Sequence, residues 1–243
     1  MGKTTIKGGG GMDTLFWYWE IGRDYAAQML PCAGLGALFF LALGPARRAR
    51  LVRRGLRSGP WREGALVLFV MFCAGLLALT VFPANFWTAG HWREVFQGGQ
   101  PLFPPVDRLI QHRTVNLVPF RGIAGAFQGG GWVWFLLLAN VGIFLPVGFF
   151  PALLWRGPGW RWPLAGCCAS CLIECAQFFT GRSADVDDVI LNTLGALAGY
   201  GLFRLLRGLA PGFTQRFQVQ VEVPDGRETG TGGPAPGAGA GQL

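Results

Sequence analysis

Long apolar runs, separated by shorter polar stretches, set the rhythm of this chain. A helix that crosses a bilayer needs about 20 mostly apolar residues. Five segments reach that length: 25–44, 65–82, 132–155, 163–180 and 186–206. A helix in water keeps a polar face, whereas a helix in lipid is apolar all round. The runs have the second character; the fourth departs from it, with Glu174 and Gln177 in its second half. The pattern predicts an all-α fold, a polytopic membrane helix bundle of about five transmembrane helices. It divides the chain into a flexible N-terminal segment (1–24), a first transmembrane helix (25–44), a main membrane domain (65–206) and a disordered Gly/Pro-rich tail (211–243). Such a tail has too little apolar surface to fold. The stretch 83–131 between the second and third helices is expected to be re-entrant or to lie on the membrane.

Composition supports this reading and removes others. Apolar residues make up 51% of the chain and charged ones 14%, too few for the surface of a water-soluble domain. The ten Trp and twenty Phe suit a protein whose aromatics sit at headgroup level. The net charge of +8 raises nucleic acid as a partner, but seven arginines, Arg47, Arg48, Arg50, Arg53, Arg54, Arg57 and Arg62, crowd one stretch between two apolar runs. That is a juxtamembrane loop, and no nucleic-acid partner is expected. The positive-inside bias puts it in the cytoplasm, so the N-terminus lies outside and the C-terminus inside. No signal peptide of ordinary form opens the chain. The six cysteines lie within apolar runs, and Cys167, Cys171 and Cys175 share a helix face without a metal-binding spacing. They are expected to pack as small apolar residues, and His91 and His112 to lie on the surface.

Polar groups inside membrane helices are costly, so each needs a partner, a wet cavity or a role. With this topology they collect near one depth, at the outer end of the bundle. Asn140 falls in the outer half of the third helix, and Glu174 and Gln177 near the outer end of the fourth, on one face. The turn that follows supplies Arg182, Asp185, Asp187 and Asp188, and Asp185, Asp188 and Asn192 share a face of the fifth helix. The same stripe continues as Gly195 and Gly199, a spacing that lets helices approach closely. Pro146 and Gly148 are expected to kink the third helix beside Asn140. The structural readings are interhelical hydrogen bonds for Asn140 and Asn192, an ion pair of Glu174 with Arg182 or Arg121, and helix capping by Asp185 and Asp188. A divalent cation on Glu174, Asp185 and Asp188 is an alternative, but no metal-binding motif is present and neither metal nor cofactor is expected.

Four pieces, Asn116-Leu-Val-Pro-Phe, Asn140-Val-Gly-Ile-Phe-Leu-Pro-Val-Gly148, Glu174-Cys-Ala-Gln177 and Arg182-Ser-Ala-Asp185-Val-Asp-Asp188-Val-Ile-Leu-Asn192-Thr-Leu-Gly195, occur in order over about 65–206. In this set the chain resembles the VanZ-like membrane protein family. The resemblance implies a protein of the bacterial cell envelope, in a family whose founding member is linked to teicoplanin resistance. It implies no settled reaction.

Two functions follow as expectations. In the first, Asn116, Arg121, Asn140, Gln177, Arg182 and Asn192 line an outer-facing polar cavity that binds or shields a lipid-linked or lipid-tailed molecule, lowering sensitivity to glycopeptides. Arg121 and Arg182 would meet an anionic headgroup. In the second, the protein is a membrane-embedded enzyme acting on a lipid-linked envelope precursor, with Glu174 as acid/base and Asp185 and Asp188 positioning a cation or the substrate. The partners expected are the bilayer and a lipid-linked precursor or lipoglycopeptide.

Overall fold

A computed structural model describes residues 11–82, 86, 89–102, 115–127, 131–180 and 182–221, with backbone alone at 11–15, 17, 18, 131 and 132. His112 and the tail from 222 onward lie outside the described residues.

The elements run α1 (Gly11–Ala42), α2 (Gly44–Val52), β1 (Leu56–Arg57), α3 (Pro60–Thr80), α4 (Ala89–Phe96), β2 (Val115–Asn116), α5 (Arg121–Ala126), α6 (Gly131–Leu154), α7 (Arg161–Thr180), β3 (Ala184–Asp185), α8 (Val186–Leu209), α9 (Pro211–Gln215) and β4 (Gln220–Val221). Five of the helices are long and apolar enough to cross a membrane: Trp19–Ala42, Pro60–Thr80, Val133–Leu154, Arg161–Thr180 and Val186–Leu209. The protein is thus an all-α membrane bundle, with strand pairing reduced to two short ladders. Local chemistry sets the boundaries. Pro60 opens α3 after an extended Gly59, where its missing N–H costs nothing. Asp185 caps α8, its carboxylate accepting from the Asp187 N–H at 2.9 Å.

Two features of the ends differ from expectation. Residues 11–24 are helical, because Phe16, Trp19 and Ile21 continue the apolar run of α1 upstream of 25. Residues 211–221 are ordered too. Pro211 starts α9, β4 pairs with β1 in antiparallel register (Leu56 with Val221, Arg57 with Gln220), and Phe217 is buried. Trp61 meets Phe213 and Phe217 edge-on, with ring centroids 6.2 and 6.0 Å apart. Apolar surface at Phe213 and Phe217 is what the Gly/Pro-rich composition hid.

The closest pairing is α6 on α8, with α7 against α8 and α1 against α3. Glycines make the α6–α8 approach possible. A Cβ on Gly195 would lie 2.2 Å from the Val141 carbonyl oxygen, one on Gly199 2.0 Å from that of Leu145, and one on Gly148 1.9 Å from that of Ala196. Gly148 therefore serves contact, and α6 runs as one helix through both Pro146 and Pro151.

The α6–α7 turn, the C-terminal end of α8 and α9 gather at the end that carries the arginine-rich α2–α3 segment, called here the arginine-rich end. There Ala65, Leu66, Leu153, Leu154, Phe203 and Phe217 form one buried cluster. Arg47 forks onto Glu63, one bond at 2.7 Å and its partner shorter still, while buried Arg62 donates to the Leu154 carbonyl at 3.4 Å. Leu76, Phe144 and Ile173 form a second cluster toward the opposite, acid-bearing end. Cys168, Cys171 and Cys175 are exposed, so they face outward and do not pack helices together. His91 is half-buried, its ring 5.5 Å from that of Phe86, where an exposed position was expected.

Candidate functional site

The acid-bearing end is built in two layers. The lower one is a cavity of about 470 Å³ between α1, α3, α6, α7 and α8. Its polar lining includes Asn140, Glu174, Gln177, Arg182, Asp188 and Asn192, with Gln28 from α1 and Thr80 from α3. Helical spacing explains the convergence. Ser170, Glu174 and Gln177 recur along one face of α7, Asp188 and Asn192 along one face of α8, and these faces meet because α7 and α8 pack antiparallel across a short turn.

Each of these groups has a defined hold. The Asn140 amide donates to Asp188 at 2.6 Å, joining α6 to α8. The Asn192 amide donates to the Ser170 hydroxyl at 2.9 Å, joining α8 to α7, with both side chains buried. Gln177 donates to the Thr80 carbonyl at 2.9 Å. Arg182 donates to the carbonyls of Leu79 (3.2 Å) and Phe82 (3.0 Å). It thereby satisfies the C-terminal end of α3, where carbonyls lack helical partners and the dipole favours a cation. Buried Glu174 accepts from the Asp185 N–H at 2.8 Å.

Above the cavity lies a strap. Its first part is the parallel β2–β3 ladder, Val115 opposite Ala184 and Asn116 opposite Asp185. The Asn116 amide donates to the Asp185 carboxylate at 2.9 Å. Its second part hangs on Asp187, which accepts from the backbone N–H groups of Phe120 (2.5 Å), Gly122 (2.7 Å) and Ile123 (3.1 Å). Phe120 is in the left-handed region, φ 65°, which aims successive N–H groups at one point. α5 has no side-chain cap of its own, and the carboxylate of Asp187 supplies that anion from across the fold. A Cβ on Gly122 would sit 3.1 Å from the Asp187 oxygen, so glycine leaves room for the grip.

Six of the nine expected site residues therefore line one cavity. Asn116 and Asp185 belong to the strap above it, and Arg121 is exposed and outside the cavity lining. The expected pair of Arg121 and Arg182 around an anionic head does not form, since Arg182 faces the α3 carbonyls. Of the two acids expected as caps, Asp185 caps α8 and Asp188 instead takes the Asn140 amide. Ser170 and the α1 wall (Tyr25, Met29) were missed, and Asp187 was placed in the turn without its role as the anchor of 120–123. Ser170 was within reach of the sequence, four residues before Glu174; the role of Asp187 was not, because its partners are distant backbone N–H groups.

Two acceptor atoms in the cavity lining are buried without a hydrogen-bond partner: Gln177 Oε1 and Asn192 Oδ1. Among the described residues no group of three or more His, Cys, Asp or Glu is arranged to hold a metal ion.

Fold and site together define a multi-pass, all-α membrane protein with a polar cavity between its helices and a loop strapped to α8 at the same end. A profile described as VanZ/LLP1 matches residues 69–207, and the chain belongs to that family. No curated protein and no solved structure matches the chain.

Proposed function

We propose that the protein binds or shields, in the cavity at its acid-bearing end, the hydrogen-bond-donating head of a lipid-linked or lipid-tailed molecule of the bacterial cell envelope. The observation that carries this is the pair of orphaned acceptors, Gln177 Oε1 and Asn192 Oδ1, beside the Glu174 and Asp188 carboxylates. Buried acceptors left unpaired cost about 1–3 kcal/mol each, and a head bearing hydroxyl or amine groups satisfies them. The carboxylates of Glu174 and Asp188 line the cavity against the single guanidinium of Arg182, which donates to the α3-end carbonyls, so the cavity favours donors over an anionic head. Tyr25, Met29, Leu136 and Ile143 give the same cavity an apolar wall for the start of a tail. The acid-bearing end faces outward in this reading, which the crowding of arginines at the other end supports. Removing such a molecule from the reach of a lipid-tailed glycopeptide, or holding the glycopeptide itself, lowers sensitivity to teicoplanin.

A second reading, a membrane-embedded enzyme on a lipid-linked precursor, draws on two carboxylates, Glu174 and Asp188, in one cavity. One comparison separates the two. The protein is expressed in a teicoplanin-sensitive bacterium and growth inhibition is measured for teicoplanin and for a glycopeptide without a lipid tail. Binding predicts raised tolerance to teicoplanin alone, kept by Glu174→Gln, whose amide oxygen still accepts from the Asp185 N–H, and lost with Asn192→Leu. Catalysis predicts that Glu174→Gln abolishes the effect. Unchanged tolerance on expression of the native chain, at verified membrane levels, overturns the glycopeptide reading.

A further inference from the structure

At the arginine-rich end a second cavity, of about 580 Å³, opens beneath α9 between the α6–α7 turn and α8. Its lining has no acidic residue. Arg156 and Arg207 reach it from the α6–α7 turn and from α8, and among the described residues neither has a carboxylate partner. Arg207 is held over the Phe203 ring, 5.5 Å from its centroid. Tyr200 contributes its hydroxyl, whose oxygen accepts from Arg204 at 3.2 Å, which leaves the hydroxyl proton to donate into the cavity. Gly159 leaves the space this ring needs, since a Cβ there would lie 1.9 Å from the Tyr200 hydroxyl oxygen. Trp155 and Trp162 complete the wall.

Two unpaired guanidinium groups and a phenol donor form a site for an anion, and the planar fork of Arg suits phosphate oxygens. Tryptophans at a helix end mark the headgroup level of a bilayer, where phospholipid phosphates lie. Basic pockets between membrane helices take such headgroups. We propose that this cavity binds a phosphate-bearing anion, supplied by the headgroup of an anionic phospholipid in the leaflet at the arginine-rich end. The site is separate from the acid-bearing cavity and stands whether or not that cavity has the function proposed for it.

The test uses the full chain in detergent micelles, titrated with phosphatidylglycerol or phosphatidylcholine and read by native mass spectrometry. Each juxtamembrane arginine adds about a fivefold preference for anionic lipid. Arg156→Gln with Arg207→Gln is therefore expected to lower phosphatidylglycerol affinity about 25-fold and leave phosphatidylcholine unchanged. Arg50→Gln with Arg53→Gln, the same charge removed from exposed positions at the end of α2 and just after it, is expected to leave the affinity near that of the native chain. Equal losses in the two double variants, or none in the first, overturn the proposal. Should the first variant not fold, photo-crosslinking of phosphatidylglycerol to the native chain decides: adducts in 155–162 and 200–218 support the site, and adducts elsewhere alone refute it. Displacement of the lipid by millimolar inorganic phosphate assigns the site to a soluble phosphate; persistence of the lipid assigns it to the headgroup.

Discussion

Asn140 and Asp188 face each other across the α6–α8 interface, amide to carboxylate, at 2.6 Å. Polar bonds between membrane helices are worth about 0.6–1.7 kcal/mol, since the unfolded chain in the membrane also finds partners. A double-mutant cycle with Asn140→Ala and Asp188→Ala, followed by unfolding in detergent, is expected to return a coupling in that range. Zero coupling means that the two side chains are held by other neighbours.

Asp187 acts on a different part of the protein. Its three backbone contacts hold 120–123. Asp187→Ala should release that segment, with hydrogen exchange in 115–127 accelerating by the equivalent of about 2–3 kcal/mol. Exchange in α6 and α8 should change little. A uniform loss of protection would make Asp187 a residue of the bundle core.

Two glycines of α8 give an internal control. Gly199 meets the Leu145 carbonyl, whereas a Cβ on Gly201 meets nothing within 4 Å. Gly199→Ala is expected to cost about 1–3 kcal/mol or more by forcing the helices apart, read as a lower melting temperature. Gly201→Ala should be neutral or slightly stabilising.

How much of this was legible without coordinates follows the range of the contacts. Helical spacing within α7 and α8 was enough to place Glu174, Gln177, Asp188 and Asn192 on inward faces, because residues three, four and seven apart share a face whatever surrounds them. The roles of Arg182 and Asp187 were not legible. Each ends on backbone groups 64 to 103 positions away, and backbone acceptors and donors leave no mark in residue identity. Exposure of Cys171 and Cys175 was also hidden, since a small apolar residue suits lipid and a helix interface equally well.

Chain truncation separates the ordered tail from the rest. Ending the chain at Val221 should leave folded yield and melting temperature close to native. Ending it at Arg216 removes buried Phe217, the Gln218 bond to the Leu153 carbonyl and the strand that pairs with β1. That variant should lose about 2–4 kcal/mol, in the range of deleting a buried aromatic, seen as early melting in detergent.

Orientation is tested by impermeant maleimide on intact cells, in a chain without native cysteines. Gln100→Cys should label readily and Arg57→Cys only after the membrane is opened. Prompt labelling at position 57 inverts the topology and moves the acid-bearing cavity to the cytoplasmic side.

The first helix lies upstream of the stretch that the family shares, yet Tyr25 and Met29 form part of the cavity wall and Met29 lies against Gly75 of α3. Without that helix the same polar groups would floor a groove open sideways to the lipid. The shared segment thus supplies the polar groups, while a neighbour from outside it decides whether they face a walled cavity or the bilayer.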